Sequence, residues 1–83
     1  MRLHPDVAIT DTDDGTVLLN GRTGRYWQLN LTGARVLRQL LDGRTPDGIA
    51  ADVADRHRLD EQRAQRDVAA VIEQLRAAKL VIA

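Results

Sequence analysis

The chain lacks cysteine and serine altogether, and its 83 residues contain no phenylalanine. Without cysteine there are no disulfides and no thiolate metal ligands. Without either residue the two commonest side-chain nucleophiles are gone. A cysteine-free chain suits a reducing compartment, and the cytoplasm is the expected location. No apolar run approaches the roughly 18 residues of a membrane span, and the N-terminus has no apolar stretch of signal-peptide type. Neither membrane association nor export is expected. Charge of one sign is also missing. Twelve basic and twelve acidic residues leave a formal net charge of zero. A dedicated nucleic-acid binder draws most of its affinity from phosphate neutralisation and shows a basic excess. Here acids are interleaved with arginines, and Lys79 is the only lysine.

What is present fits a single domain over residues 1–83. A chain this size buries roughly 60–65% of its extended surface. That makes a small core with no room for a deep active-site cavity.

The first third reads as strands. Val7 and Ile9 alternate with small or polar residues in Asp6–Thr12, and Asp13-Asp14-Gly15 is a turn signal. Thr16–Asn20 is a second strand, Gly21–Gly24 a hairpin loop, and Arg25–Leu29 a third strand. Short connections predict an antiparallel meander with the third strand at an edge. The period then becomes helical. Thr32 is the expected N-cap of a first helix, with Leu31 and Val36 as a hydrophobic staple and Gly43 past its end. Thr45 caps a second helix with Pro46 at its first position. Asp60 caps a third helix reaching about Ala78, with Ala64, Val68, Val71, Leu75 and Ala78 on one face and Ile72 on its flank. Leu80–Ile82 is an apolar tail expected to pack back on the body. The order predicts an α+β fold of winged helix-turn-helix type, a three-stranded antiparallel meander followed by three helices.

The only aromatics, Tyr26 and Trp27, are neighbours in the third strand. Adjacent strand residues point to opposite faces. Trp27, Leu29 and Leu31 share the apolar side, assigned inward; Tyr26, Gln28 and Asn30 share the other.

Catalytic and metal constellations are not found. His4 and His57 are isolated from partners, and no paired-histidine helix spacing occurs. Asp13-Asp14 precedes Gly15, where aspartate is favoured for local backbone bonding. The Gly21–Gly24 loop lacks the helix start that a phosphate cradle needs. Neither enzyme activity nor a cofactor or metal is expected. A helix pair invites a DNA-binding reading, with Arg63 and Arg66 on the reading helix. Asp67 and Glu73 on that helix, and Asp47, Asp52 and Asp55 before it, would repel phosphate. Peptide binding remains. An edge strand offers unpaired backbone groups that an extended peptide completes by strand addition. The third helix is the second wall of such a cleft. One flank carries Asp67, Ala70 and Gln74; the other carries Gln65, Ala69, Ile72 and Arg76. Periodicity does not say which flank faces the strand.

The stretch from Leu18 through Asn20-Gly21, Tyr26-Trp27-Gln28-Leu29-Asn30 and Thr32-Gly33-Ala34 to Leu37 resembles the PqqD-like family. So do Leu40-Leu41-Asp42-Gly43-Arg44-Thr45-Pro46, the Asp67-Val68, Val71-Ile72 and Leu75 pattern, and the closing Leu80-Val81. Where the family pattern has a glycine before its final Leu-Val, this chain has Lys79. The resemblance implies a recognition element for ribosomally made, post-translationally modified peptides, one that binds the leader of a precursor. It implies that Arg25, Tyr26, Trp27, Gln28 and Leu29 pair with the leader, Trp27 and Leu29 forming the cleft floor. Asp67, Val68, Val71, Gln74 and Leu75 would be the helix wall, which favours the flank that also carries Ala70. The partners implied are the precursor, a cysteine leader peptidase and an asparagine-synthetase-like cyclase of lasso-peptide type. The nearest alternative is the precursor carrier of pyrroloquinoline quinone biosynthesis.

Overall fold

The computed structural model describes residues 1–82. Its strands are β1 (Arg2–Leu3), β2 (Val7–Thr12), β3 (Gly15–Asn20), β4 (Tyr26–Asn30) and β5 (Val81–Ile82). Its helices are α1 (Leu31–Leu41), α2 (Pro46–His57) and α3 (Glu61–Ala77), placed between β4 and β5. The expected meander is the antiparallel sheet β2-β3-β4, and the third strand read from the sequence is β4. An additional two-stranded ribbon, β1 with β5, joins the two ends of the chain. The apolar tail thereby packs back as expected, with Leu80 and Val81 buried.

Each turn follows from local chemistry. Asp13 and Asp14 keep negative φ, and Gly15 takes the positive φ of 150° that completes the turn. In the β3–β4 hairpin, Asn20 Oδ1 accepts from the backbone N–H groups of Arg22 and Thr23. Gly43 follows α1 at φ 88°, the left-handed position glycine favours.

The start of α1 differs from the expectation. Asn30, not Thr32, is the N-cap: its Oδ1 accepts from Gly33 N–H at 2.8 Å. β4 runs into the helix with no intervening residue, so the last strand residue, still extended, is the one able to cap. Leu31 consequently falls in the first helical turn and is 60% exposed. It is neither part of the inward strand face nor a staple for Val36, which is buried independently.

The core joins Leu18 of the sheet to Val36, Leu37 and Leu40 of α1, Ile49 and Val53 of α2, and Ala64, Val68, Ile72 and Leu75 of α3. Each fully buried Leu or Ile stabilises by roughly 1.5–3 kcal/mol relative to its exposed state. Val71 was expected inside this stripe and Ile72 beside it; the structure buries Ile72 and leaves Val71 half-buried. The reason is that α3 packs mainly on α2, which turns its buried face toward that helix. α1 packs on β3, β4, α2 and α3 alike and works as a spacer. It keeps α3 off the edge of the sheet, and a groove remains between α3 and β4.

Candidate functional site

β4 is an edge: it pairs with β3 on one side and, among the described residues, with no strand on the other. Which of its backbone groups are free follows from the phase of the ladder. Asn20 N–H donates to the Arg25 carbonyl at 2.8 Å. Hydrogen-bonded and non-bonded pairs alternate along an antiparallel ladder. Leu18–Trp27 and Thr16–Leu29 are therefore bonded pairs, while Leu19–Tyr26, Val17–Gln28 and Gly15–Asn30 are not. The other side of β3 has the complementary phase, odd-numbered residues bonding β2, since Gly21 N–H donates to the Asp6 carbonyl at 2.8 Å. Tyr26 and Gln28 thus direct their N–H and C=O groups away from β3, to the open edge, and Asn30 does so with its N–H, its C=O being the N-cap carbonyl of α1.

The side chains divide as the strand parity predicts. Trp27 lies across from the fully buried Leu18, and both Trp27 and Leu29 pack against the core while remaining partly open. Tyr26, on the outer face, is 67% exposed.

The main cavity of the groove holds about 630 Å³ and is lined by Gln28, Leu29 and Asn30 of β4, and by Asp67, Ala70, Val71 and Gln74 of α3. Thr32, Gly33, Val53, His57 and Leu59 complete its wall. A second hollow of about 440 Å³ continues along the same strand and helix, between Arg25, Tyr26 and Trp27 on one side and Gln74, Ala77 and Ala78 on the other. The flank of α3 that carries Asp67, Ala70 and Gln74 is therefore the one that faces β4. Gln65, Ala69, Ile72 and Arg76 border a separate hollow beside Pro46 and Asp47.

Nine of the eleven residues singled out from the sequence meet in this groove. Val68 and Leu75 do not. They are 2% and 1% exposed, and they sit in the core beneath the wall rather than on it. Positions 68 and 75 lie on the side of α3 turned toward α2, so tertiary packing has already used them. Residues of α1, α2 and the α2–α3 connector were missed. Asn30, Thr32 and Gly33 could have been suggested by following β4 directly. Val53, His57 and Leu59 reach the groove only through the α2–α3 packing.

The groove is chemically a mixed surface with an apolar floor and polar rim. Among the described residues the ion pairs are His4–Asp6, Arg38–Asp11 and Arg56–Asp52, all outside it. Among the described residues no three His, Cys, Asp or Glu side chains gather as a metal centre requires. Among the described residues no helix is long and apolar enough to cross a membrane. The arrangement offers an extended ligand the N–H and C=O of Tyr26 and Gln28 and the N–H of Asn30, an aromatic and aliphatic floor, and a helix wall with a carboxylate and an amide.

A family model described as coenzyme PQQ synthesis protein D (PqqD) matches residues 15–81. Among solved structures, that of lasso peptide synthetase B1 complexed with the leader peptide is 38% identical with a TM-score of 0.92. The likeness covers 99% of this chain and 96% of that one. TbiB1 in complex with the TbiA(beta) leader peptide is 28% identical with a TM-score of 0.85, covering 96% of this chain and 93% of the other. Comparison with curated protein sequences gave no match.

Proposed function

The chain belongs to the PqqD family, and from that premise we propose that it binds the leader region of a ribosomally made precursor peptide between β4 and α3. The observation that carries this reading is the near-full-length likeness to two proteins whose structures are complexes with a leader peptide. The groove supplies a physical means. A leader in extended conformation adds to β4 through the free groups of Tyr26, Gln28 and Asn30, by β-augmentation. Its alternate side chains then enter the groove over Trp27 and Leu29, against Asp67, Ala70, Val71 and Gln74. Backbone bonds give affinity without sequence choice, and the groove supplies the choice.

The protein does no chemistry in this scheme. It holds the precursor for a cysteine leader peptidase and an asparagine-synthetase-like cyclase of a lasso-peptide pathway in the cytoplasm. The gain is in effective concentration, which multiplies the encounter rate of enzyme and substrate. The match to the PqqD model supports a second reading, the carrier of pyrroloquinoline quinone biosynthesis.

Titration with the synthetic leader of the short precursor gene nearest this one tests the reading. Calorimetry should show one-site binding, and emission from Trp27, the single tryptophan, should shift with it. Absence of both heat and shift would count against leader binding. If the nearest precursor is the quinone-cofactor peptide and it binds, the second reading replaces the first.

A further inference from the structure

We infer that the groove is electrically polarised and selects a peptide strand with cationic side chains in its N-terminal half and anionic side chains in its C-terminal half. This deepens the reading above and rests on an extended peptide adding to β4.

The groove has two chemically different ends. Toward Asn30, the main cavity is bordered by Asp67, and an adjoining hollow of about 300 Å³ is bordered by Asp14. The register Gly15–Asn30 brings the Asp13-Asp14 turn to this end of β4. Toward Tyr26, the continuing hollow is bordered by Arg25. Arg22 is in the hairpin loop at that end, and Lys79 directly follows Ala78, which lines the hollow. Asp14, Asp67, Arg25, Arg22 and Lys79 are all exposed, and none is in an ion pair among the described residues. His57 borders the acidic end as well, and Arg63 stands one turn before Asp67; neither is within ion-pair distance of a carboxylate. The chain's net charge of zero therefore conceals a dipole laid along the binding strand.

The separation makes the two ends independent. The five residues of β4 span about 14–17 Å at the usual strand rise. The Debye length at physiological salt is about 8 Å, so each end is read by the ligand charge beside it. The direction of the ligand follows from the sheet. All its pairings are antiparallel, and an antiparallel addition is the more stable per residue. The N-terminal half of the peptide then lies beside Asn30, next to the carboxylates, and the C-terminal half lies beside Arg25. Exposed ion pairs are individually weak, about 1.4- to fivefold in affinity each. A peptide matched at both ends and its charge-reversed counterpart should differ by about tenfold at low salt.

The test is selection of a displayed library of random decapeptides on the full chain. Parallel selections use the triple variant Asp14→Lys, Asp67→Lys, Arg25→Glu, and Gln28→Pro, each shown to be folded by circular dichroism. Wild-type protein should enrich Lys and Arg in N-terminal halves and Asp and Glu in C-terminal halves. The triple variant keeps Arg22 and Lys79, so it should replace Lys and Arg by Asp and Glu in N-terminal halves while weakening the acidic enrichment of C-terminal halves, and Gln28→Pro should lose the enrichment. A selected peptide and its charge-reversed counterpart, resynthesised, should differ about tenfold in Kd, with the difference shrinking in 0.5 M NaCl. Enrichment lost on Gln28→Pro but without charge order, or with N-terminal halves that the triple variant does not turn acidic, overturns the polarity and leaves groove binding standing. Enrichment indifferent to Gln28→Pro, or none on any protein, overturns both.

Discussion

Replacing Gln28 by proline separates recognition of the peptide backbone from recognition by side chains. The N–H of Gln28 faces the open edge and bonds to nothing in β3. Proline there removes no bond of the native ladder. The preceding Trp27 is in a strand, the conformation a following proline requires. Proline pulls φ toward −65° from the more extended values of a strand, and edge strands accommodate it. The fold should lose no more than about 1 kcal/mol. Binding is a different matter. The central donor to the leader disappears, leaving a ligand carbonyl unsatisfied at about 1–3 kcal/mol. The ring also obstructs the neighbouring bonds at Tyr26 and Asn30, each worth about 0.5–1.5 kcal/mol. The total, roughly 2–6 kcal/mol, corresponds to at least about thirtyfold in Kd. Gln28→Ala keeps the N–H and should cost less than about 1 kcal/mol. Trp27→Pro should show the converse pattern, because its N–H lies in the ladder to Leu18; there the fold itself loses about 3 kcal/mol. Calorimetric titration with the leader, beside thermal unfolding followed by circular dichroism, measures both quantities. Folded Gln28→Pro binding within threefold of wild type would refute strand addition at β4. So would a loss on Gln28→Ala as large as the loss on proline.

Three other outcomes follow from the same structure. Gly15→Ala would drive a Cβ into the Leu29 carbonyl oxygen, and urea unfolding should show a loss of about 3 kcal/mol or more. Lys79 closes α3 at φ 57°, so Lys79→Gly should stabilise by about 1 kcal/mol, seen as a higher Tm. A hydrogen bond from Arg38, then one from Thr16, lowers the pKa of the Asp11 carboxylate. Its contribution to stability is therefore complete above the ordinary carboxylate value of about 3.9 and is lost as pH falls through the lower native value. Asp11→Asn should flatten the acid limb of the stability–pH curve below about pH 4; an unchanged limb would show that the pair is not felt.

The amino-acid order by itself determined whatever depends on neighbours in the chain. Turn residues set the two hairpins, the change of hydrophobic period marked where strands give way to helices, and strand parity put Trp27 and Leu29 on the inward face. Capping chemistry placed the starts of α2 and α3 at Thr45 and Asp60. At α1 the same chemistry pointed to Thr32, and the unbroken passage from β4 into the helix made Asn30 the cap instead. The edge character of β4 also followed from short connections, because a meander leaves its last strand unpaired. Tertiary structure decided what depends on the rotation of one packed element against another. A helical stripe with Val71 and Ile72 side by side fits two rotations about 100° apart. Packing of α3 on α2 selected the one that buries Ile72, turns Val71, Asp67 and Gln74 to β4, and takes Val68 and Leu75 into the core. The phase of the β3–β4 ladder was likewise open, since parity fixes side chains but not which N–H groups are bonded. The hairpin bond from Asn20 to Arg25 settled it and left the backbone of Gln28 free. The groove exists because α1 holds α3 and β4 apart, a spacing set by helix-on-sheet packing that no local pattern encodes.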